Sequence, residues 1–457
     1  MNKQKINTRK LCIQILLDIL DAGNNSNSSL AWFLDKYTLS RQERNFITAS
    51  VYGTLDYLPL LDWQLEKYLT KPLAKLDTTT LLILRHALWQ MRFSYAVPVA
   101  VAVDEAVKLT YEFKLQGRTA LVNAVLRKAT TELDIVPCKK KQALQYGMPL
   151  ELFGLFKSWF GTDRAKTIAE SLLRHSQQIT LRVKPEFKNN IADLKDLNSA
   201  RYLPKDAYYL ARNSTRLSTM LAEFSTQLYV QDEAPMLVGY LLAQYWQNKL
   251  SCTLHKPNLK VLDLCAGVGG KSIDLLWRIP ELGLVANEPD NQRLLRLQQN
   301  LQRLQLKVEV SNLQAEDYVV PEEQKFDAVI VDAPCSGLGV ISNKPEIKLR
   351  QNYERIMAMP ALQCSILKSA LNLVKPGGVV VYATCTLNPA ENHAVVQESI
   401  QETKTRSIDL TDLLPTTIRD ELLQETAQTN LSNGHFLISP DRFELAGFYI
   451  EMLQVLK

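Results

Sequence analysis

The feature that most constrains the fold is a change of hydrophobic pattern near residue 235 of this 457-residue chain. From there on, short β-branched runs alternate with longer segments in which apolar residues recur at helical spacing. The runs are residues 259–264, 283–288, 307–311, 326–332, 377–384 and, near the end, 446–455. Such alternation predicts a mostly parallel sheet covered by helices on both faces. We therefore predict an α/β domain over residues 231–457.

The N-terminal part has a different pattern, because its apolar residues recur at helical spacing alone. Helices are predicted in residues 9–20, 44–69, 79–93 and 100–113, with a polar loop at 24–29. Pro72 and Pro98 are expected at helix boundaries, since proline disfavours a helical conformation in the residue before it. This pattern predicts an all-α domain over residues 1–135.

A third region, residues 146–230, is separated from the first by a basic linker around residues 138–142. Helical segments at 150–160 and 164–175 are followed by short strand-like runs at 179–185, 216–220 and 227–232. We predict a small α+β region here. The fold class is therefore multidomain, with an all-α part, a small α+β part and an α/β part.

Charge is unevenly distributed, although the net charge of the chain is only +5. Residues 1–130 contain 17 Lys and Arg against 11 Asp and Glu, a net of +6, whereas the remainder has 36 against 37. A basic helical domain suits contact with nucleic-acid phosphates, or is simply a solvated surface. No apolar run reaches the ~18 residues of a membrane span, and the N-terminus lacks a cleavage signal. We therefore expect a cytoplasmic protein without membrane contact.

The first predicted strand of the α/β domain ends in a glycine-rich turn, "LDLCAGVGGKS". Glycines at such a turn let the backbone approach a ligand closely, but neither G-x-G-x-x-G nor the P-loop pattern fits. Glu288, Asp317 and Asp332 lie at the ends of the next three strands, where Glu288 would accept from ribose hydroxyls and Asp317 from an adenine amine. This arrangement predicts S-adenosylmethionine, a nucleoside ligand without a pyrophosphate. The predicted cofactor residues are Cys265, Ala266, Gly267, Val268, Gly269, Gly270, Lys271, Glu288, Asp317 and Asp332.

Two of the seven cysteines directly follow predicted strands, Cys335 in "DAPCSGLGV" and Cys385 in "YATCTLNPAEN". No cysteines show C-x-x-C spacing, which argues against a disulfide framework and against a metal site. Because the strands end at one edge of the sheet, both thiols are expected beside the methyl donor. A thiolate that adds to carbon 6 of a pyrimidine makes carbon 5 nucleophilic, while Asp332 hydrogen-bonds the ring and the other thiol assists release. The geometry does not say which thiol attacks, and packing in the core is the alternative for both.

These motifs resemble those of the RNA (cytosine-5)-methyltransferases. The N-terminal stretches "VYGTLDYLPLLDWQL", "AVAVDEAVKL" and "LVNAVLRK" resemble a NusB-like RNA-binding domain, which one branch of that family joins to its catalytic domain. The branch acts on 16S rRNA, and the resemblance extends over essentially the whole chain. It implies a Rossmann-like catalytic domain, Cys385 as the nucleophile, Cys335 as the thiol that assists release, and bare or early-assembly small-subunit RNA as the partner.

The chain departs from the family pattern at a few positions. Glu288 stands where the family usually has Asp, which keeps the charge but extends its reach. Lys184, Pro235 and Ala446 replace the usual Asn, Ser and Asp. None of these touches the thiols, so the departures bear on RNA contacts in the middle region rather than on the chemistry.

Other functions remain open on the sequence. A tRNA enzyme would use the same chemistry, but the NusB-like region favours ribosomal RNA. A non-catalytic RNA-binding factor would have no use for both thiols and the acidic positions. An N-methyltransferase would carry D/N-P-P-Y/F after the fourth strand, where this chain has "DAPC". Methyl transfer to small-subunit rRNA, with the product mapped, would separate these alternatives.

Overall fold

The computed structural model describes residues 7–174, 178–187, 197–203, 205–211, 217–250, 258–401, 403–423 and 433–456. The chain divides into two compact units. The first, here called the helical unit, consists of Met1–His175 and Ile341–Tyr353. The second, the sheet unit, consists of Ser176–Val340 and Glu354–Lys457.

The N-terminal segment of the helical unit is all helix, as predicted. Its helices are α1 Thr8–Leu20, α2 Ser26–Lys36, α3 Arg41–Tyr68, α4 Thr78–Phe93, α5 Val99–Glu112, α6 Thr119–Ala129, α7 Leu150–Phe160 and α8 Thr162–Leu172. The apolar faces of α1 to α6 pack into one core, in which Leu16, Leu61 and Leu84 are completely buried. Pro72 precedes a 3-10 helix and Pro98 precedes α5, so both mark boundaries as expected.

The predicted polar loop at 24–29 is wrong in part, because α2 begins at Ser26. The Ser26 backbone amide donates to Glu346 Oε1 at 3.1 Å, and the Ser29 hydroxyl donates to Asp18. The first backbone amides of a helix lack partners inside the helix, so polar contacts of this kind stabilise a helix start. A run of Asn and Ser is typical both of loops and of helix starts, and the sequence pattern alone does not separate the two.

The predicted α+β region at 146–230 is divided between the two units. Helices α7 and α8 belong to the helical unit, where both pack against the 3-10 helix Lys139–Tyr146 that replaces the predicted linker. Phe156 and Ile168 are completely buried there. The strands after these helices fall in the sheet unit, so the boundary lies nearer residue 175 than residue 146.

Residues 341–353, from the C-terminal half of the sequence, also belong to the helical unit. They contain the short helix α13, Ile347–Arg350. The Lys348 ammonium donates to the Asp56 carbonyl at 2.7 Å, and Arg350 donates to the carbonyls of Ile19 and Asn24. Burial lowers the pKa of Lys348 to about 8. The predicted α/β domain is therefore interrupted by a segment that completes the other unit.

The middle strands form a small antiparallel sheet in the order β2-β3-β1-β4. They are β1 Gln178–Val183, β2 Leu197–Ser199, β3 Ala207–Ala211 and β4 Leu228–Val230. The predicted strand at 216–220 is wrong: residue 216 lies outside the described residues, and helix α9 spans Leu217–Glu223. Leu217, Met220 and Leu221 pack with the small sheet at helical spacing, which outweighs the strand-like composition of this short run.

The large sheet has strands in the order β10-β12-β9-β8-β5-β6-β7, and β11 pairs with β12. The strands are β5 Lys260–Asp263, β6 Gly283–Asn287, β7 Glu309–Ser311, β8 Phe326–Asp332, β9 Val374–Thr384, β10 Thr405–Ser407, β11 His435–Ile438 and β12 Phe448–Val455. Strands β5 to β9 run parallel to one another, whereas β10, β11 and β12 pair antiparallel. The mostly parallel sheet is therefore confirmed; β10 and β11 were not predicted.

Both faces of this sheet are covered, as the continuous apolar strands predicted. Val261 and Ile330 face one core cluster, whereas their neighbours Leu262 and Val331 face another. The remaining helices are α10 Glu233–Leu250, α11 Gly270–Arg278, α12 Asn291–Arg303, α14 Tyr353–Leu373, α15 His393–Ile400 and α16 Thr416–Leu423. The strand–helix alternation thus gives a Rossmann-like domain with one carboxyl edge.

Helix α14 is the single helix in the described part of the chain whose length and composition would allow it to cross a membrane. Ile366, Leu367 and Ala370 of this helix are buried in the same cluster as Val329 and Val331 of β8. Its apolar side chains therefore cover one face of the sheet, which is typical of a core helix.

Candidate active site

The sequence-predicted site residues lie along one edge of the large sheet. Parallel strands in the order β9-β8-β5-β6-β7 present their carboxyl ends there. Cys385 follows β9, Asp332 ends β8, the loop Cys265–Lys271 follows β5, Glu288 follows β6 and Asp317 follows β7. The topology therefore brings together residues that are up to about 120 positions apart in the sequence.

The glycine loop has the backbone geometry that the sequence suggested. Gly267 and Gly269 have φ values of +59° and +93°, which are strained for any residue with a side chain. A Cβ atom built on Gly267 would meet nothing within 4 Å, so this part of the loop borders open space. Helix α11 begins at Gly270, three residues after Gly267.

Glu288 is buried and is held by the loop that it faces. Its Oε2 atom accepts from the Gly267 amide at 2.8 Å, and its Oε1 atom accepts from the Asp290 amide at 2.9 Å. Each carboxylate oxygen has a further acceptor position, so hydroxyl donors of a ligand could still bind. Asp317 differs, because it is exposed on the 3-10 helix Ala315–Asp317.

Two further polar side chains of this edge were not identified from the sequence. Gln231 follows β4; neither atom of its buried side-chain amide has a hydrogen-bond partner among the described residues. Its Nε2 atom lies 3.3 Å from where a Cβ on Gly270 would be. Asp263 ends β5, and its Oδ1 atom likewise lacks a partner there. Unpaired buried polar atoms are costly, so these groups suit a polar ligand beside the glycine loop.

The electrostatics of Asp263 differ from those of the other acids. Burial raises the pKa of Asp263 to about 6, against the opposing effect of a hydrogen bond donated by Ser272. The Ser272 hydroxyl lies 2.6 Å from Asp263 Oδ2 and fixes the carboxyl at the start of α11. This buried acid therefore holds the strand end and the helix start together.

Asp332 is paired with Lys271. The Lys271 ammonium donates to Asp332 Oδ2 and lies 5.4 Å from the centre of the Phe448 ring. Lys271 is only 8% exposed, so the pair is largely shielded from solvent on its lysine side. Lys271 was predicted as part of the cofactor loop, and the structure directs its charge to the side of the site that holds the cysteines.

The two cysteines lie side by side. Their Sγ atoms are 3.3 Å apart. The hydrogen bond with Cys385, burial, and the nearby charges of Cys385, Glu391 and Asp332 raise the pKa of the Cys335 thiol well above its ordinary value. The Gly339 amide also donates to the Cys385 carbonyl at 3.0 Å, which ties the two loops together. Cys335 is therefore held as a protonated thiol next to Cys385.

The glycine loop and its helix are braced by buried charges. Arg182 of β1 donates to Asp274 of α11, and both side chains are completely buried. Arg278 of the same helix donates to Asp274 at 2.9 Å and to Asp206 at 2.6 Å. The small sheet is thus fixed to the helix that begins at the glycine loop, which gives the middle strands a structural role at this site.

Comparison with known proteins gives two matching family models. The model described as 16S rRNA methyltransferase RsmB/F matches residues 252–454, and the NusB family model matches residues 6–131. The chain is 29% identical over 461 residues to the "Probable ribosomal RNA small subunit methyltransferase B" of Bacillus subtilis (strain 168), covering 98% of each chain. It is 28% identical to the "Ribosomal RNA small subunit methyltransferase B" of Shewanella oneidensis, covering 98% of this chain and 99% of that protein.

Solved structures share the fold. The crystal structure of PH0851 superposes with a TM-score of 0.79 at 21% identity, covering 99% of this chain and 100% of that one. The structure of NSun6 from Pyrococcus horikoshii with SFG gives a TM-score of 0.54 at 19% identity, covering 68% of this chain and 98% of that one. At these identities the similarity establishes the architecture alone.

Proposed function

We propose that this chain methylates carbon 5 of a cytosine in small-subunit ribosomal RNA, because residues 252–454 match the 16S rRNA methyltransferase RsmB/F model and residues 6–131 match the NusB family model. It is an RNA methyltransferase by family. The observation that supports the finer proposal is the pair of sulfur atoms 3.3 Å apart at the carboxyl edge of the sheet. Transfer to an oxygen or nitrogen needs no thiol, whereas transfer to carbon 5 of a pyrimidine does.

The proposed reaction begins with Cys385. Its thiolate adds to carbon 6 of the cytosine, and the electron pair of the 5,6 double bond makes carbon 5 nucleophilic. Carbon 5 then takes the methyl group. The Asp332 carboxylate, oriented by Lys271, can accept a hydrogen bond from the exocyclic amine at the edge of the cytosine ring. A base must reach this position outside the helix stack, so single-stranded or loop RNA is the expected substrate.

Release requires two bonds to break. The proton leaves carbon 5, its electron pair restores the ring double bond, and the bond from carbon 6 to sulfur breaks. As the bond from carbon 6 to sulfur breaks, the protonated Cys335, 3.3 Å away, gives its proton to the departing Cys385 sulfur and in the same step takes up the proton of carbon 5. Cys335 is therefore unchanged at the end of the step, and Cys385, released as a thiol, loses its proton to solvent before the next turnover. The raised pKa of Cys335 suits this role, because the group must hold a proton until release.

S-adenosylmethionine fits the residues beside the glycine loop. It would supply the methyl group from a sulfonium, which is the family's chemistry. Residues Cys265–Lys271 would line it, Glu288 would accept from the ribose hydroxyls, and Asp317 from the adenine amine. The open space at Gly267 and the unpaired amide of Gln231 support this assignment. SFG, an S-adenosylmethionine analogue, is bound in the NSun6 structure of the same fold.

The RNA partner is proposed from the relatives and from the charge of the chain. The relatives are named for the ribosomal RNA of the small subunit. The net charge of +6 in residues 1–130 is carried by a unit in which we find no other chemistry among the described residues. We propose that the helical unit contacts rRNA phosphates in the cytoplasm, where bare or early-assembly rRNA is available.

The experiment is a methyl-transfer assay with labelled S-adenosylmethionine on three substrates: bare 16S rRNA, assembled small subunits and bulk tRNA. We expect label on the bare rRNA, as 5-methylcytosine at one position when the RNA is digested and mapped. Label on tRNA alone would instead support the alternative function, a tRNA methyltransferase with the same thiol chemistry. Label on rRNA in any other nucleoside would contradict the thiol chemistry.

A further inference from the structure

Glu391 is a buried carboxylate to which the sequence analysis gave no role. It lies six residues after Cys385, in the 3-10 helix Pro389–Glu391, and its side chain is completely buried. Oε2 accepts from the Ser336 amide at 2.8 Å and from Gln363 Nε2 at 3.1 Å. Oε1 accepts from the Ser336 hydroxyl and from Asn388 Nδ2 at 2.9 Å. The Thr386 hydroxyl is a fifth donor, 3.5 Å from Oε1. All five donors are uncharged, so the carboxylate is stabilised by hydrogen bonds.

Four of the five donors come from the two cysteine loops, and the remaining one, Gln363, lies on α14. Ser336 directly follows Cys335, and Asn388 lies in the loop that begins at Cys385. The Ser336 hydroxyl is also 2.7 Å from the hydroxyl of Thr386, which directly follows Cys385. The carboxylate therefore lies at the junction of two loops that are 50 residues apart in the sequence.

We propose that Glu391 is the positioning residue that holds the two reactive thiols at their working separation. It does so as the common hydrogen-bond acceptor of the Cys335 and Cys385 loops. The inference rests on the proposed function for its catalytic meaning, but the placement of the sulfur atoms can be tested without any RNA. Glu391 touches neither sulfur, so it acts through Ser336 and Asn388.

The side-chain chemistry explains why this position needs Glu. Both oxygens must accept, because Oε2 receives two hydrogen bonds and Oε1 receives three. Gln would present an amide N–H to the donors of one oxygen and leave them without an acceptor in a buried place. Asp would keep the charge but is shorter, so it could not reach all five donors without moving a loop. The negative charge also adds to the raised pKa of Cys335.

The chain offers a matched control in Glu451. It is also completely buried in the sheet unit, and it also accepts several hydrogen bonds. Its donors are His393 Nδ1 at 3.0 Å, the Ser407 hydroxyl at 3.1 Å and the Tyr449 hydroxyl. None of them belongs to a cysteine loop. Glu391→Gln and Glu451→Gln are therefore the same substitution at equal burial. Glu391 accepts hydrogen bonds from the cysteine loops, whereas Glu451 does not.

The first measurement is the rate at which diamide joins Cys335 and Cys385 in the full-length protein. In this reaction the two thiols lose two hydrogen atoms to form a disulfide, and the diazene is reduced to the hydrazine. Peptide mapping by mass spectrometry distinguishes this disulfide from others. We expect Glu391→Gln to slow it about tenfold or more, since a displacement of ~1 Å can slow a reaction about a hundredfold. Glu451→Gln should stay within about twofold of the unsubstituted protein on the same grounds.

A second measurement follows alkylation of Cys335 by iodoacetamide against pH, in a Cys385→Ser background. Removal of the Glu391 charge should shift the alkylation profile to lower pH in Glu391→Gln, and Glu391→Asp, which keeps the charge, should restore it in part. Loss of packing alone would not produce this difference between Gln and Asp. The Glu451→Gln profile should match that of the background.

Several outcomes would overturn the proposal. One is equal disulfide rates in Glu391→Gln and Glu451→Gln; another is an unsubstituted protein that forms no Cys335–Cys385 disulfide. If Glu391→Gln does not fold, Ser336→Ala removes one donor and should slow the disulfide to a smaller degree; an unchanged rate would contradict the inference. Normal thiol placement together with no methylation of rRNA would instead count against the proposed function, so the two failures are distinguishable.

Discussion

The two units differ in how some of their most deeply buried ionisable side chains are accommodated. In the helical unit, burial raises the pKa of Cys12 to about 12 and lowers the pKa of His86 to about 3. Both groups are thereby kept neutral in a core built by helix packing. In the sheet unit, the neighbouring carboxylates Asp274 and Asp206 raise the pKa of Arg278 against the effect of burial. That unit buries charges and pairs them.

This difference indicates where the chemistry resides. Buried charge pairs are costly to assemble and are retained where a geometry must be fixed. In the sheet unit, the buried pair of Arg182 and Asp274 braces the glycine loop, and a half-buried pair with Lys271 orients Asp332. The helical unit has an ion pair beside a cavity, Arg85 with Asp62 at 2.6 Å, but both side chains are partly exposed. RNA phosphates would meet that unit at its exposed basic side chains.

The largest expected effect is that of Cys385→Ala, which tests whether the chemistry is confined to the sheet unit. Loss of the proposed nucleophile should lower kcat by roughly 10⁴-fold or more. The affinity for S-adenosylmethionine, measured by calorimetry, should stay nearly unchanged, because the glycine loop and Glu288 are intact. Substantial turnover by this variant would refute the assignment of the nucleophile.

Cys335→Ala is expected to act at a later step. Without the thiol that assists release, turnover should fall about 10²-fold, the scale of a lost proton-transfer group. The Cys385–RNA adduct should then accumulate and appear on a denaturing gel as a shifted band that depends on the methyl donor. Normal turnover without such a band would return Cys335 to a packing role.

The two units should also respond differently to acid. His86 has a pKa of about 3 in the folded protein and about 6.5 when unfolded, so the unfolded state binds the proton more readily below pH 6.5. His86 therefore leaves the free energy of unfolding unchanged above pH 6.5 and lowers it progressively as the pH falls from about 6.5 toward 3. Between pH 7 and pH 5, this effect of His86 should lower the free energy of unfolding of the helical unit by about 2 kcal/mol. Hydrogen exchange of the α4 amides, corrected for intrinsic rates, measures this locally.

The control for this effect is His86→Gln, which keeps a polar group but cannot titrate. Its α4 amides should show little pH dependence from this source; the same slope as in the unsubstituted protein would mean that titration of groups other than His86 controls the effect. His393 in the sheet unit has the opposite sign. The hydrogen bond with Glu451 raises the pKa of His393, so its contribution is present at low pH and is lost as the pH rises through the folded value.

The sequence predicted those parts of the fold that depend on local periodicity. Strong helical spacing gave α1, α3, α4 and α5 nearly to the residue, and apolar β-branched runs gave the parallel strands. The convergence of the site followed from one rule, that parallel strands share a carboxyl edge. Cys335 and Cys385 could therefore be placed together before any distance was known.

What could not be predicted depends on contacts between distant residues. Nothing in the composition of residues 341–353 indicates that Lys348 packs in the helical unit, since a buried lysine resembles a surface lysine in sequence. Gln231 and Glu391 were missed for a similar reason. Their importance lies in which buried atoms they face, and the polar runs around them are typical of loops. The one usable signal was the acidic residue inside "YATCTLNPAEN".

The smallest expected effect concerns the surface of the helical unit. Deletion of residues 1–130 would be a poor test, because it would uncover Glu346 and Lys348, which are buried in the same unit. Arg127 and Lys128 are better targets: both are exposed on the last turn of α6. If both contact phosphates of single-stranded rRNA, replacing them with Gln should reduce the log–log salt slope of RNA binding by roughly 0.7 for each lost contact.

The matched control makes the same change in net charge within the sheet unit, by Lys404→Gln and Arg406→Gln, which are also exposed. Filter binding or fluorescence anisotropy at several salt concentrations would give the two slopes. Because these contacts are electrostatic, the difference in RNA affinity between the two double variants should be largest at low salt and should shrink as screening increases. A reduced slope for Arg127 and Lys128 alone would assign RNA contact to the helical surface. Equal slopes for both pairs would exclude phosphate contact by Arg127 and Lys128. They would favour the middle strands of the sheet unit as the element that contacts RNA.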